Sequence, residues 1–336
     1  MRRTAVWGTA LSLVALAGAG ILALGTGAAA LSPGEVLAAL VGRSRSDLAT
    51  TVVLDLRLPR ALLAALAGAS LAVSGTAFQA LTRNPLADPA VLGVSSGAAL
   101  GAVLARLAGM EGSALATVGL SVVSFAGALV ASAAVYLIAS TGGRLPIQTL
   151  LLAGVITGLF FSAAITLVIS LVDISRLGGI LHWLMGSLGT FGYREVSVVA
   201  LGALLAGVTL YGQARALNVL ALGEEPALQL GVEAERVKRR TFIAAALLTG
   251  CVVAHTGPIG FVGLIVPHAV RFLVGSDNRL LIPLGAAAGA TFLVLADTLA
   301  RVVVGPAELP VGVITAFCGA PFFVWVLRRR LRQEAV

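Results

Sequence analysis

RLPRALLAALAGASLAVSGTAFQALTRNPLADPAVLGVSSGAALG, residues 57–101, decides how the whole chain is read. Two arginines flank a proline in Arg57-Leu-Pro-Arg60, and a charge-free apolar run follows from Ala61 to Thr82. A run of about 20 apolar residues is long enough to cross a bilayer. Then comes a turn with two prolines, Arg83-Asn84-Pro85-Leu86-Ala87-Asp88-Pro89, and a ladder of small residues at Gly93, Gly97 and Gly101. Small residues four apart let two helices pack backbone to backbone, which matters where no hydrophobic effect drives helices together. The stretch therefore reads as a membrane span, a tight polar turn and a second, closely packed span.

The rest of the chain has the same character. Of its 336 residues 58% are hydrophobic and 11% are charged, against about 25% charged in a soluble domain. Charge-free runs place spans near 5–26, 61–82, 91–107, 114–139, 147–170, 192–212, 240–257, 259–269, 280–301 and 309–327. The expectation is an all-α polytopic membrane bundle of about ten helices, with residues 1–336 forming one domain. Pro258 splits a long run at Gly257-Pro-Ile-Gly260, and the short helix after it is expected to end near Pro267. Residues 177–193, with His182 and Trp183, read as a helical segment at one face. Arg2-Arg3 and Ala28-Ala29-Ala30 have the outline of a signal peptide, but the run 4–34 exceeds a signal core of about 7–15 residues, so a retained first span is expected. An even number of spans puts both termini on one side, and that side carries most of the lysine and arginine. It is therefore read as cytoplasmic, in the plasma or inner membrane. This topology, rather than nucleic acid, accounts for the net charge of +8. Glycines seven apart at Gly68/Gly75 and Gly250/Gly257 hint at an inverted repeat.

Several chemistries are excluded. The chain lacks Gly-x-x-x-x-Gly-Lys-Ser/Thr, and its one lysine, Lys238, follows no glycine loop, so it holds no phosphate-binding loop of its own. No carboxylate sits in mid-span, which argues against an ion-coupled secondary transporter. Cys251 and Cys318 lie within apolar runs with no partner at metal-ligand spacing. His255 and His268 stand beside proline-broken ends, where an imidazole can satisfy freed carbonyls. The large segment 213–240 carries Glu224-Glu225-Pro226, a helix start, and Gly231, a helix stop. Ala227, Leu228 and Leu230 give it a short apolar face suited to a groove on a soluble partner. Arg57, Arg60 and Arg301 fall at the opposite face, placed either to snorkel or to meet a partner's carboxylates.

These motifs together resemble the FecCD family: Arg57-Leu-Pro-Arg60, Gln79-x-x-x-Arg83-Asn-Pro-Leu-Ala-Asp-Pro89, Leu92-Gly93, Leu222-Gly223 with Leu230-Gly231-Val232, Gly257 to His268, and Glu308-Leu-Pro-Val-Gly312 with Gly319-Ala-Pro321. The family comprises membrane subunits of ABC importers for ferric siderophores, haem and cobalamin. The resemblance implies ten helices per subunit, two subunits around a pore (a homodimer or a pair with a sister permease), two ATPases below and an extracytoplasmic binding protein above. It implies that Leu222, Gly223, Glu224, Glu225, Ala227, Leu230 and Gly231 couple to the ATPase. Arg57, Arg60 and Arg301 would dock the binding protein, and Asn84, Pro85 and Leu86 would gate the cytoplasmic mouth. The fifth span, the short helix after it and the tenth span would line the path. No cofactor is expected on this chain, ATP and magnesium belonging to the partner. Ferric siderophore is the leading cargo, with haem or cobalamin as the alternative.

Overall fold

Residues Asp47–Thr82 run as 36 continuous helical residues, so the rod begins 14 positions before the apolar run suggests. The extension holds because a π-helical turn, Val52–Arg57, carries the backbone bonding across the charged positions, with Leu58 N donating to the Val53 carbonyl. In a computed structural model, which describes residues 2–27, 31–44, 46–110, 114–189, 192–305 and 307–334, this rod is the most enclosed of the apolar spans. Ala28-Ala29-Ala30 and Arg45 lie outside the described residues, as do the side chains of Arg329, Arg330 and Arg332.

The helices in order are α1 (Arg2–Gly25), α2 (Pro33–Leu40), α3 (Asp47–Thr51), α4 (Leu58–Thr82), α5 (Val94–Leu107), α6 (Ala114–Ala139), α7 (Ile147–Ser170) and α8 (Ile174–Leu184). They continue with α9 (Tyr193–Gly212), α10 (Ala214–Leu220), α11 (Glu224–Gln229), α12 (Ala234–Thr256), α13 (Val262–Val274), α14 (Asn278–Val302) and α15 (Val311–Glu334). Each expected span coincides with one of these helices, and the chain is a multi-pass, all-α membrane protein among its described residues.

Small residues set the packing. A Cβ on Gly68 would land on the Gly289 carbonyl, and one on Gly289 would land on that of Gly68, so α4 and α14 touch backbone to backbone. They run antiparallel, since Arg60 meets Asp297 at one end and Thr76 meets Gly285 farther along. Gly75 abuts the backbone of Gly263 in α13, and Ser74 Oγ donates to the Ala245 carbonyl of α12 at 3.0 Å. α4 is thus a central post ringed by α12, α13 and α14. The glycine ladder divides its work: Gly97 and Gly101 seat α5 against Gly127 and Val123 of α6, whereas Gly93 has φ +73° and lies against α7 at Gly154 and Gly158. Gly250 faces Ala128 and Gly257 is a helix terminus with φ +67°, so the two glycine pairs of the suggested repeat have different surroundings.

Pro267 corrects the expected end of its helix. It lies inside α13, which continues to Val274. Proline has no N–H for the carbonyl four residues back, here that of Gly263. The Gln79 side-chain amide of α4 donates to that carbonyl at 3.2 Å and satisfies it from outside the helix.

Candidate functional site

At the end of the bundle where α4 begins, three arginines and two carboxylates interlock. Asp297 of α14 is 2% exposed. Arg60 donates to it from Nε at 3.1 Å and from Nη2 at 2.9 Å, and from Nη1 to Glu308 at 2.7 Å. Arg301 Nε lies 3.3 Å from the other Asp297 oxygen. The remaining guanidinium groups turn to α1. Arg57 Nη1 donates to the Leu24 carbonyl at 2.7 Å, and Arg301 donates to the carbonyls of Ala23 and Thr26 at 3.1 and 3.3 Å. The last carbonyls of a helix have no partner within it and carry its negative pole; two arginines supply both bonds and charge. Arg57 is buried and Arg60 and Arg301 are partly buried. The expected docking arginines are therefore brought together, but as the internal fastening of α1, α4 and α14 rather than as an outward basic patch. The sequence carried no signal of this, because the pairs lie up to 278 residues apart.

The opposite end holds the other two candidate sets. α4 stops at Arg83, whose φ of 51° is left-handed. Arg83 N bonds the Ala80 carbonyl and Asn84 N the Gln79 carbonyl, the two bonds of a Schellman stop, at 3.3 and 3.1 Å. Asn84 Oδ1 then accepts from Leu86 N at 2.9 Å, which shapes the turn at Pro85. Burial pushes the Asp88 carboxyl up, against the Ala90 N–H that it accepts at 2.8 Å. Arg83 and Pro85, with Gln79, His268, Arg271 and Asn278, line a cavity of about 550 Å³. His268 stands among Phe272, Phe322 and Phe323 at centroid distances of 4.8, 6.1 and 6.3 Å, in the middle of α13 rather than at a broken end. His255 Nδ1 lies 2.9 Å from the Cys251 carbonyl oxygen of its own helix. Cys251 is half-buried and Cys318 lies on the exposed side of α15.

The segment 213–240 folds back on the bundle through α10 and α11. Gly223 has φ +123° and Gly231 φ +78°, bracketing α11. Gly231 N bonds Leu228 O at 3.0 Å and Val232 N bonds Ala227 O at 2.9 Å, a second Schellman stop. Ala227 is buried with Leu217, Leu220 and Val237, and Ala80 near the end of α4 packs on that cluster. Leu228 and Leu230, expected on the same face as Ala227, instead point outward together with Leu222. The face splits because Leu228 lies about 100° around the helix from Ala227 and Leu230 is already the C-cap residue, past the last helical turn. Glu224 is not free: its Oε1 lies 2.7 Å from Lys238 Nζ. Asn218 ties α10 to the start of α14, donating to Asp277 at 2.7 Å and accepting from Asn278 N at 2.9 Å. Burial alone pushes the Asp277 carboxyl up, but hydrogen bonds from Arg279 N and Asn218, with the Arg279 charge, outweigh it and hold it below the usual carboxylate range.

Between the two ends lies an apolar concavity of about 590 Å³, built by the end of α8, the turn Pro258–Phe261 and α15 from Gly312 to Pro321. Phe261 has φ +69° and presses its ring on Gly319, where a Cβ would collide.

The FecCD transport family profile matches residues 14–329. The chain is 41% identical over 322 residues to the hemin transport system permease protein HmuU of Yersinia pestis, covering 94% of each. It is 44% identical over 285 residues to the cobalamin import system permease protein BtuC of Halobacterium salinarum, covering 84% of this chain and 75% of that one. Among solved structures, a metal-chelate type ABC transporter in an inward-facing conformation superposes with a TM-score of 0.84 at 32% identity, covering 95% of this chain and 97% of the other. The chain belongs to the FecCD transport family and is an ABC transporter permease of that family.

Proposed function

We propose that the chain is the membrane subunit of an ATP-driven importer of a bulky metal chelate, pairing with a second permease copy, two ATPase subunits and an extracytoplasmic binding protein. It performs no bond chemistry; ATP is hydrolysed on the partner, and α11 passes the resulting motion into the bundle. The carrying observation is the outward set Leu222, Leu228 and Leu230 on and flanking α11, which is anchored inward through Ala227. Three exposed leucines on a segment outside the spans fit the apolar groove of a soluble partner. The α11 end is then cytoplasmic with both termini, and the Asn84-Pro85-Leu86 turn, at that same end, is the gate. The Arg60–Glu308 pair marks the docking face: Glu308 is half-exposed, so a partner's carboxylate can compete for Arg60 while Arg57 and Arg301 keep holding α1.

Ferric siderophore is the first reading of the cargo. Haem or cobalamin is the second, favoured by the names that HmuU and BtuC carry. The test is reconstitution in proteoliposomes with the ATPase and binding protein, assayed against a ferric siderophore, haem and cobalamin. Leu228→Asp with Leu230→Asp should abolish ATPase co-purification while the permease remains folded. Uptake that survives ATP removal and collapses with an ionophore would overturn the proposal.

A further inference from the structure

Lys238 is the chain's single lysine and is 2% exposed, although it lies in the most charged stretch of the sequence, Glu233 to Arg240. Its ammonium group is clasped by two carboxylates from different helices. Glu224 of α11 lies at 2.7 Å and Glu235 of α12 at 2.8 Å. Glu235 is itself engaged on its other oxygen, accepting from Leu145 N at 2.6 Å. Leu145 follows the tight turn between α6 and α7, in which Gly142 and Gly143 have φ of 59° and 75° and Thr141 and Arg144 exchange backbone bonds at 3.0 Å. One unbroken series of short polar contacts thus joins α11, α12 and the foot of α7.

We infer that Lys238 is the positioning strut through which displacement of α11 reaches α12 and the α6–α7 turn. This rests on the reading of α11 as the ATPase contact. The reasoning is electrostatic. Glu224 and Glu235 are like charges held close to one point, and only the ammonium between them makes that arrangement favourable. With the lysine in place, moving α11 without α12 breaks the 2.7 Å Glu224 contact and leaves the buried ammonium to Glu235 alone, which costs more than moving both together. Without it the two carboxylates repel. α11 would then keep its Ala227 anchor against Leu217 and Leu220 but lose its rigid link to α12. The far end of α12 is well placed to receive the motion: Gly257 abuts the Trp183 carbonyl of α8, and the next residue, Pro258, lines the apolar concavity. The neighbouring charges do not duplicate the strut. Arg236 pairs with Glu233 at 3.1 Å on the surface, and Arg144, Arg236 and Arg239 line a cavity of about 240 Å³ together with Glu235 itself. The Glu224 contact with Lys238 is the one ion pair between α11 and α12 among the described residues.

The experiment uses the whole transporter in proteoliposomes, with Lys238→Met, Lys238→Arg and Glu224→Gln compared with the parent. Glu224 is 45% exposed, so its neutralisation leaves the fold intact if the buried lysine variant does not fold. The expected result is normal ATPase assembly and basal hydrolysis in Lys238→Met, with substrate moved per ATP reduced about tenfold in Lys238→Met and Glu224→Gln, within the range of a coupling free energy. Lys238→Arg should recover most of the ratio, and the double variant should be no worse than Lys238→Met. An unchanged ratio in both neutralised variants overturns the inference, as does a loss confined to assembly, which would make the lysine merely structural. A second readout needs no ATPase: amide exchange across residues 224–232 should speed up in both variants, and unchanged exchange overturns the strut. If the parent neither binds an ATPase nor shows ATP-driven uptake, the functional reading falls, and the exchange data still decide on Lys238.

Discussion

Neutralising Asp297 tests whether the arginine cluster is an internal fastening. Asp297→Asn keeps the shape and removes the charge. In the parent, that carboxylate receives Arg60 through contacts of 2.9 and 3.1 Å and Arg301 at 3.3 Å. Removing one partner of a buried ion pair costs about 3–5 kcal/mol, because the other charge is left stranded. Two features reduce the loss here. Glu308 still holds Arg60 at 2.7 Å, and Arg301 keeps the carbonyls of Ala23 and Thr26. The lower end, about 3 kcal/mol, is therefore expected, a change of more than a hundredfold in the folding equilibrium. The double variant Arg60→Met with Asp297→Leu removes both charges of the buried Arg60–Asp297 pair and should cost less than Asp297→Asn alone, since apolar replacement of a buried pair is often neutral. Equilibrium unfolding in mixed detergent micelles measures both. A cost below about 1 kcal/mol for Asp297→Asn, or a double variant as damaging as the sum of the singles, would refute the buried-network account.

The contact of α4 and α14 should be equally specific: Gly68→Leu or Gly289→Leu places carbon on the facing carbonyl and should abolish folded yield in size-exclusion profiles, whereas Gly18→Leu, with open space around it, should not. Asp277 gives a signed pH effect. Its folded carboxyl titrates below the usual range, so its stabilisation is fully present above that range and is lost as pH falls through the folded value. Asp277→Asn should flatten the acid limb of the pH–stability curve, and an unchanged limb would show that the Asn218 contact contributes nothing.

The apolar lengths of the spans and the helix signals around α11 were legible in the sequence, because length and turn chemistry are local properties. Gly231 announces a stop, and the structure builds one there. What the sequence concealed was non-local. Asp47, Asp55 and Arg57 interrupt the apolar run, so the early start of the 36-residue rod was invisible. Pro267 reads as a terminator only until Gln79, 184 residues away from the carbonyl that it satisfies, is placed beside it. Lys238 drew notice only as a lysine lacking a phosphate loop; its burial depends on α11 folding back on α12. The three arginines were correctly grouped at one face, but their inward direction follows from α1 ending beside them. For the same reason the outward turn of Leu228 and Leu230 could not be read, since six residues show no periodicity.

The arginine cap on α1 also sets an order of events during synthesis. Along the chain α1 precedes its partners, so the Thr26 carbonyl must wait for Arg301, 275 residues later. Arg57 can close one bond early, at the Leu24 carbonyl. α1 therefore stays half-fastened until α14 has been made, and a chain stalled before α14 leaves it with an open end.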